Sequence, residues 1–146
     1  MKGEATRAVM VFIFAAAVLI PVGCKNKEDK KPPTGMEHTE MMLKQHQAMQ
    51  GVQTNWIEAK AALSAGKLAE AENSAAAIER ASFGLEEFMV HKNPDRKDDF
   101  LALAARFHKL LGDFKTELQK GDKAKAVELV TEIDKACNAC HAMFRQ

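Results

Sequence analysis

The sequence predicts an all-α chain, folded as an antiparallel up-down-up-down four-helix bundle. Three observations predict it. From Met36 onward the apolar residues recur at three- and four-residue spacing, the period of a helix buried on one side. That pattern is interrupted only at Gly66, at Asn93-Pro94 and at Gly121, so the connections are short and neighbouring helices must double back. The composition is 47% apolar but only 6% aromatic, with no tyrosine, which favours packed helices over sheet.

The first helix is expected over residues 36–64. Met42, Met49, Trp56 and Leu63 recur every seven residues, with His46, Val52 and Ala59 on the same stripe. Ala65-Gly66 ends it, the glycine supplying a left-handed cap. The second is expected over residues 67–91, with Leu68, Ala71, Ala75, Ile78, Leu85 and Phe88 as its stripe, His91 at its end and Asn93-Pro94 as its breaker. The third runs over residues 95–120. It carries Phe100, Leu103, Ala104, Phe107, Leu110, Leu111, Phe114 and Leu118, with His108 on a solvated flank. Gly121 stops it, and Asp122 is the expected N-cap of the fourth. That last helix aligns Val127, Val130, Ile133, Cys137, Cys140 and Phe144. A faint repeat at an offset of 55 matches Leu63 and Gly66 with Leu118 and Gly121, and coincidence accounts for it as well as duplication does.

Residues 1–23 are not part of that fold. Lys2 and Arg7 precede an unbroken apolar run from Ala8 to Ile20, the pattern of an export signal. The run is short for a membrane span, and an uncleaved anchor is the alternative. Leu19-Ile20-Pro21-Val22-Gly23-Cys24 resembles a bacterial lipoprotein signal, which implies lipid on Cys24 as the mature N-terminus; Pro21 departs from the usual Leu. Residues 24–35 are charged, contain Pro32-Pro33 and show no apolar period, so they read as a polar tether to the domain at 36–146. The expected location is therefore periplasmic, anchored to the membrane through Cys24. Loss of residues 1–23 removes Lys2, Arg7 and Glu4 and leaves basic and acidic residues equal in number. With a pI near 7.7, nothing suggests nucleic-acid binding.

The chemistry sits near the C-terminus, in Cys137-Asn138-Ala139-Cys140-His141. Two cysteines, two intervening residues and a histidine form the attachment signature of a c-type haem. On a helix, Cys137 and Cys140 leave one face and can bond the two vinyl groups of one porphyrin. His141 follows on that face as proximal iron ligand. The competing readings are a redox dithiol, half of a zinc site, or chance. No strand precedes the motif, as a redox dithiol of the thioredoxin kind would require, and the last turns hold too few donors for zinc. Cysteine use then closes at one for lipid and two for a single covalent haem c.

With Phe144-Arg145 closing the last of four helices, the motif resembles that of the class II cytochromes c, cytochrome c′ and its low-spin, methionine-ligated relatives. The resemblance implies a haem near the bundle end and a sixth iron position facing the first helix. It favours Met49 there, because His46-Gln47-Ala48-Met49 echoes the family's Arg-Gln-x-x-Met/Leu element. The echo is one residue short, and Gln45 stands where the family often carries an arginine near a haem propionate. Counting helical rise from the glycine turns puts His141 about 30 Å along its helix, with Met49 at about 26 Å, His46 at about 30 Å and Met42 at about 36 Å. His46 is thus the rival ligand, and core packing is the competing reading of Met49. Trp56 is a pocket or core residue. The expected function is single-electron carriage to a redox partner protein, without catalysis. The alternative is a five-coordinate haem that binds NO or CO. A haem peroxidase would need an open iron and a distal acid–base group, for which His46 is the available residue. Family members often dimerise through their first two helices, which makes a homodimer a further expectation.

Overall fold

The computed structural model describes residues 35–145, most of which lie in four helices, α1 (Gly35–Ser64), α2 (Leu68–Ala81), α3 (Lys97–Lys120) and α4 (Lys123–Phe144). Two single-turn 3₁₀ segments, Leu85–Glu87 and Pro94–Arg96, lie between α2 and α3. No strand occurs among the described residues. The expected export signal, lipidated Cys24 and all of the expected tether but Gly35, which opens α1, lie outside them.

Two tight turns are built alike. At Gly66 (φ +75°) the amide of Lys67 donates to the carbonyl of Ala62 at 2.9 Å, and at Gly121 (φ +78°) Asp122 donates to Glu117 at 3.0 Å. Both are the left-handed cap that only glycine adopts without strain. The faint repeat at offset 55 is therefore realised as one turn geometry used twice. Asp122 caps α4 as expected, its carboxylate accepting from the amide of Lys125 at 2.9 Å.

The core is built of small residues with a few large ones set among them. Ala59, Ala71, Ala75 and Ala126 are fully buried, letting helices approach, while Ile78, Phe114, Leu111 and Ile133 fill the space between. Gly51 belongs to the same logic, since a Cβ there would stand 3.2 Å from the Cβ of Ala81. Contacts pair residues in opposite chain order. Ser82, Glu79 and Glu72 on or beside α2 meet His108, Lys115 and Gln119 of α3. Phe100 and Arg106 of α3 meet Phe144 and Glu132 of α4.

Three expectations need correction. The second helix ends at Ala81, ten residues early. Gly84 takes φ +76°, and Ser82 turns its hydroxyl back to the carbonyl of Glu79, so Leu85 reaches the core from a 3₁₀ turn. His91 therefore lies in a connection, not at a helix end. His108 is not solvated: it is half-buried, with Nε2 3.2 Å from Ser82 Oγ and Nδ1 2.9 Å from Glu86 Oε1. Val127 is 51% exposed, and the buried face of α4 runs instead through Ala126, Ile133 and Ala136.

Candidate haem-attachment site

Cys137 and Cys140 stand one turn apart on α4, half-buried and packed against the core. Asn138 and Ala139 between them are exposed. The two-residue spacer is thus the outward arc of an amphipathic turn, and it brings both sulfurs to one side. His141 follows, half-buried, and its imidazole makes no hydrogen bond among the described residues.

The electrostatics keep these groups neutral. Burial pushes the Cys137 thiol up to about 11, assisted by the negative charge of Asp134 and by Cys140, against the opposing pull of Lys60. Burial also raises the Cys140 thiol. A redox dithiol works the other way, through a thiolate stabilised by positive surroundings. A closed zinc site needs four converging donors, and no three His, Cys, Asp or Glu side chains converge among the described residues. Burial, with the Arg145 charge second, lowers the His141 pKa, so the ring is neutral near pH 7 and keeps a lone pair.

Across from this turn lies α1. Trp56 Nε1 donates to Asp134 Oδ1 at 2.7 Å, and Lys60 Nζ reaches the same oxygen at 3.2 Å while standing 5.4 Å from the Trp56 ring centre. This contact pins α1 against α4. Met49 lies seven residues before Trp56, and His141 seven after Asp134. Two turns of helix, about 10.5 Å, separate each from the pin, and seven residues return a side chain to nearly the same face. Met49 is half-buried against the core. His46, expected on the same stripe, is exposed. Ten residues from Trp56, it points about 80° away from that residue's direction. Met42 is half-buried, two further turns out.

The connection between α2 and α3 closes over this end. Gln45 Nε2 donates to the carbonyl of Met89 at 3.0 Å, and the His38 and His91 rings meet edge-to-face at 5.0 Å. Lys92 Nζ donates to the carbonyl of Arg145 at 3.2 Å, and Asn93 Nδ2 to that of Met143 at 2.7 Å. Asn93 takes a left-handed backbone (φ +56°), which asparagine tolerates. Two buried side-chain atoms here have no partner, Gln45 Oε1 and His91 Nε2.

Asp134, Lys60 and this connection escaped the sequence reading. Asp134 carried a faint signal, as an acid one turn before Cys137 on the inward side of α4, opposite a lone indole that needs an acceptor. The connection carried only its Asn93-Pro94 break, because its apolar residues continue the helical period of α2.

No protein-family model, curated protein or solved structure matches the chain. No described helix is long and apolar enough to cross a membrane.

Proposed function

We propose that this chain is a c-type cytochrome of the class II kind, holding one haem covalently in an up-down-up-down four-helix bundle and carrying single electrons. The reversed pairings of α2 with α3 and of α3 with α4 support the antiparallel order. At one end of α1, Lys123 lies 3.9 Å from where a Gly66 Cβ would stand. At its other end, α1 and the end of α4 share the 89–93 connection.

The residues present fit a haem. Cys137 and Cys140, two neutral thiols on the core side of α4, would hold the haem by adding across its two vinyl groups, sulfur to one carbon and hydrogen to the next. His141 offers a neutral nitrogen beside them. Met49 offers a thioether at matching height across the Trp56–Asp134 contact, which favours it over His46 and Met42. When bound, the haem supplies a one-electron couple, and methionine–histidine ligation raises its potential. The chain's own residues hold the ring, exclude water from its buried side and keep both ligands in place in either oxidation state. With its signal and lipid anchor, the protein would act outside the cytoplasmic membrane, exchanging electrons with a partner protein.

The observation that carries this reading is the placement of both cysteines on the core side of α4 with an unbonded imidazole next to them. The test is a visible spectrum of protein from a host able to mature such cytochromes, in both oxidation states, with and without CO. Low-spin iron with a sulfur-to-iron band, indifferent to CO, is expected. High-spin iron that takes CO would replace electron carriage by gas binding. Colourless protein would end the haem reading.

A further inference from the structure

We propose that His91 donates a hydrogen bond from Nε2 to a carboxylate of the haem, and that the α2–α3 connection exists in this form to hold it there. The proposal rests on the haem reading above. A haem carries two carboxylates, and a carboxylate brought against a half-buried protein surface calls for a donor. The side-chain donors of Gln45 and of the connection itself can be taken one by one. Gln45 Nε2 is committed to the carbonyl of Met89, and turning that amide over would set oxygen against oxygen. Its remaining atom, Oε1, is an acceptor and offers an anion nothing. Lys92 Nζ and Asn93 Nδ2 are committed to backbone carbonyls at the end of α4. Among the described residues, this leaves His91 Nε2 as the buried side-chain nitrogen without a partner.

Its placement is deliberate in the mechanical sense. Residue 89 is tied to α1, and residues 92 and 93 to carbonyls 142, 143 and 145, just past His141. The His38 ring, 5.0 Å away, packs edge-to-face against the His91 imidazole. An imidazole nitrogen buried without a partner costs free energy in the chain alone. A carboxylate acceptor removes that cost when the ring carries its hydrogen on Nε2. The donated hydrogen would also offset part of the carboxylate's negative charge, which otherwise favours ferric iron, and so raise the potential.

The test uses the haem-loaded full-length protein as wild type, His91→Phe and His91→Gln. The phenylalanine keeps a ring against His38 and deletes the donor; the glutamine restores a donor. Expected are equal haem content in all three, a lower midpoint potential and shifted carboxylate vibrational bands for His91→Phe, and return of both toward wild type in His91→Gln. In wild-type protein, nuclear Overhauser contacts should join the His91 ring to the haem propionate methylenes, a readout that needs no variant. Red protein without those contacts overturns the proposal, as does a His91→Phe variant whose potential and bands match wild type. A His91→Phe variant with high-spin, five-coordinate iron also overturns it, by making His91 an iron ligand. Colourless wild type overturns it together with the haem reading, whereas the other failures leave that reading standing.

Discussion

The two ends of the molecule are built on different principles. At the end of the glycine turns, Leu63, Ala71, Leu118 and Ala126 are buried, the turns satisfy their own carbonyls, and α4 is capped by Asp122. That end is closed by its own residues: apolar surface is removed from water and the last carbonyls of α1 and α3 are paired within the turns. At the other end Met42, Met49, Cys137, Cys140 and His141 are only half-buried, and two buried polar atoms lack partners. The contrast separates an end closed by packing from an end where buried polar atoms are left without partners.

The largest effect expected from breaking this contrast is on haem. Cys137→Ala combined with Cys140→Ala should abolish covalent haem, read as colour lost on acid-acetone extraction; haem that resists extraction undiminished would contradict thioether attachment. At the opposite end, Leu118→Ala should cost about 2–5 kcal/mol in denaturant unfolding while leaving haem per folded chain unchanged. A matching loss of haem would mean that the two ends are not separable. Met49→Ala should remove the sulfur band and lower the midpoint potential, whereas exposed His46→Ala should leave the spectrum as it was. The reverse outcome would move the sixth ligand to His46.

The smallest effect is a pH dependence of the haem-free chain. The folded Cys137 thiol, raised to about 11 from an ordinary value of 9.0, stays protonated where the unfolded thiol ionises. A raised acid binds more protons folded than unfolded, so stability is intact below pH 9 and falls as pH climbs toward 11. Thermal melts across that range should show the fall. Cys137→Ala should remove its part of it, and thioether formation should do the same in the haem-loaded protein.

Much of this was legible in the residues. The glycines at 66 and 121, Asp122 and the stripe of α3 through Phe100, Phe107, Leu111, Phe114 and Leu118 are local signals, and each was met. The second helix was overdrawn because Leu85 and Phe88 keep its period. A positive φ at Gly84 outweighed that pattern once Leu85 could be buried by a tighter turn. His108 was misjudged because its partners, Ser82 and Glu86, are distant in sequence and lie on the segment that was misread.

Periodicity and turn chemistry, then, determined from sequence alone that the described chain is helical, where α1 and α3 stop, and that two cysteines and a histidine share one side of α4. These are properties of a residue and its near neighbours within a turn or two. Only the tertiary structure decided that Trp56 meets Asp134, that Met49 and His141 stand equally far from that contact, and that His91 is folded into the same end with a nitrogen unpaired. Such facts depend on the register between helices, which is set by the sum of packing over the whole interface and is written in no single stretch of chain.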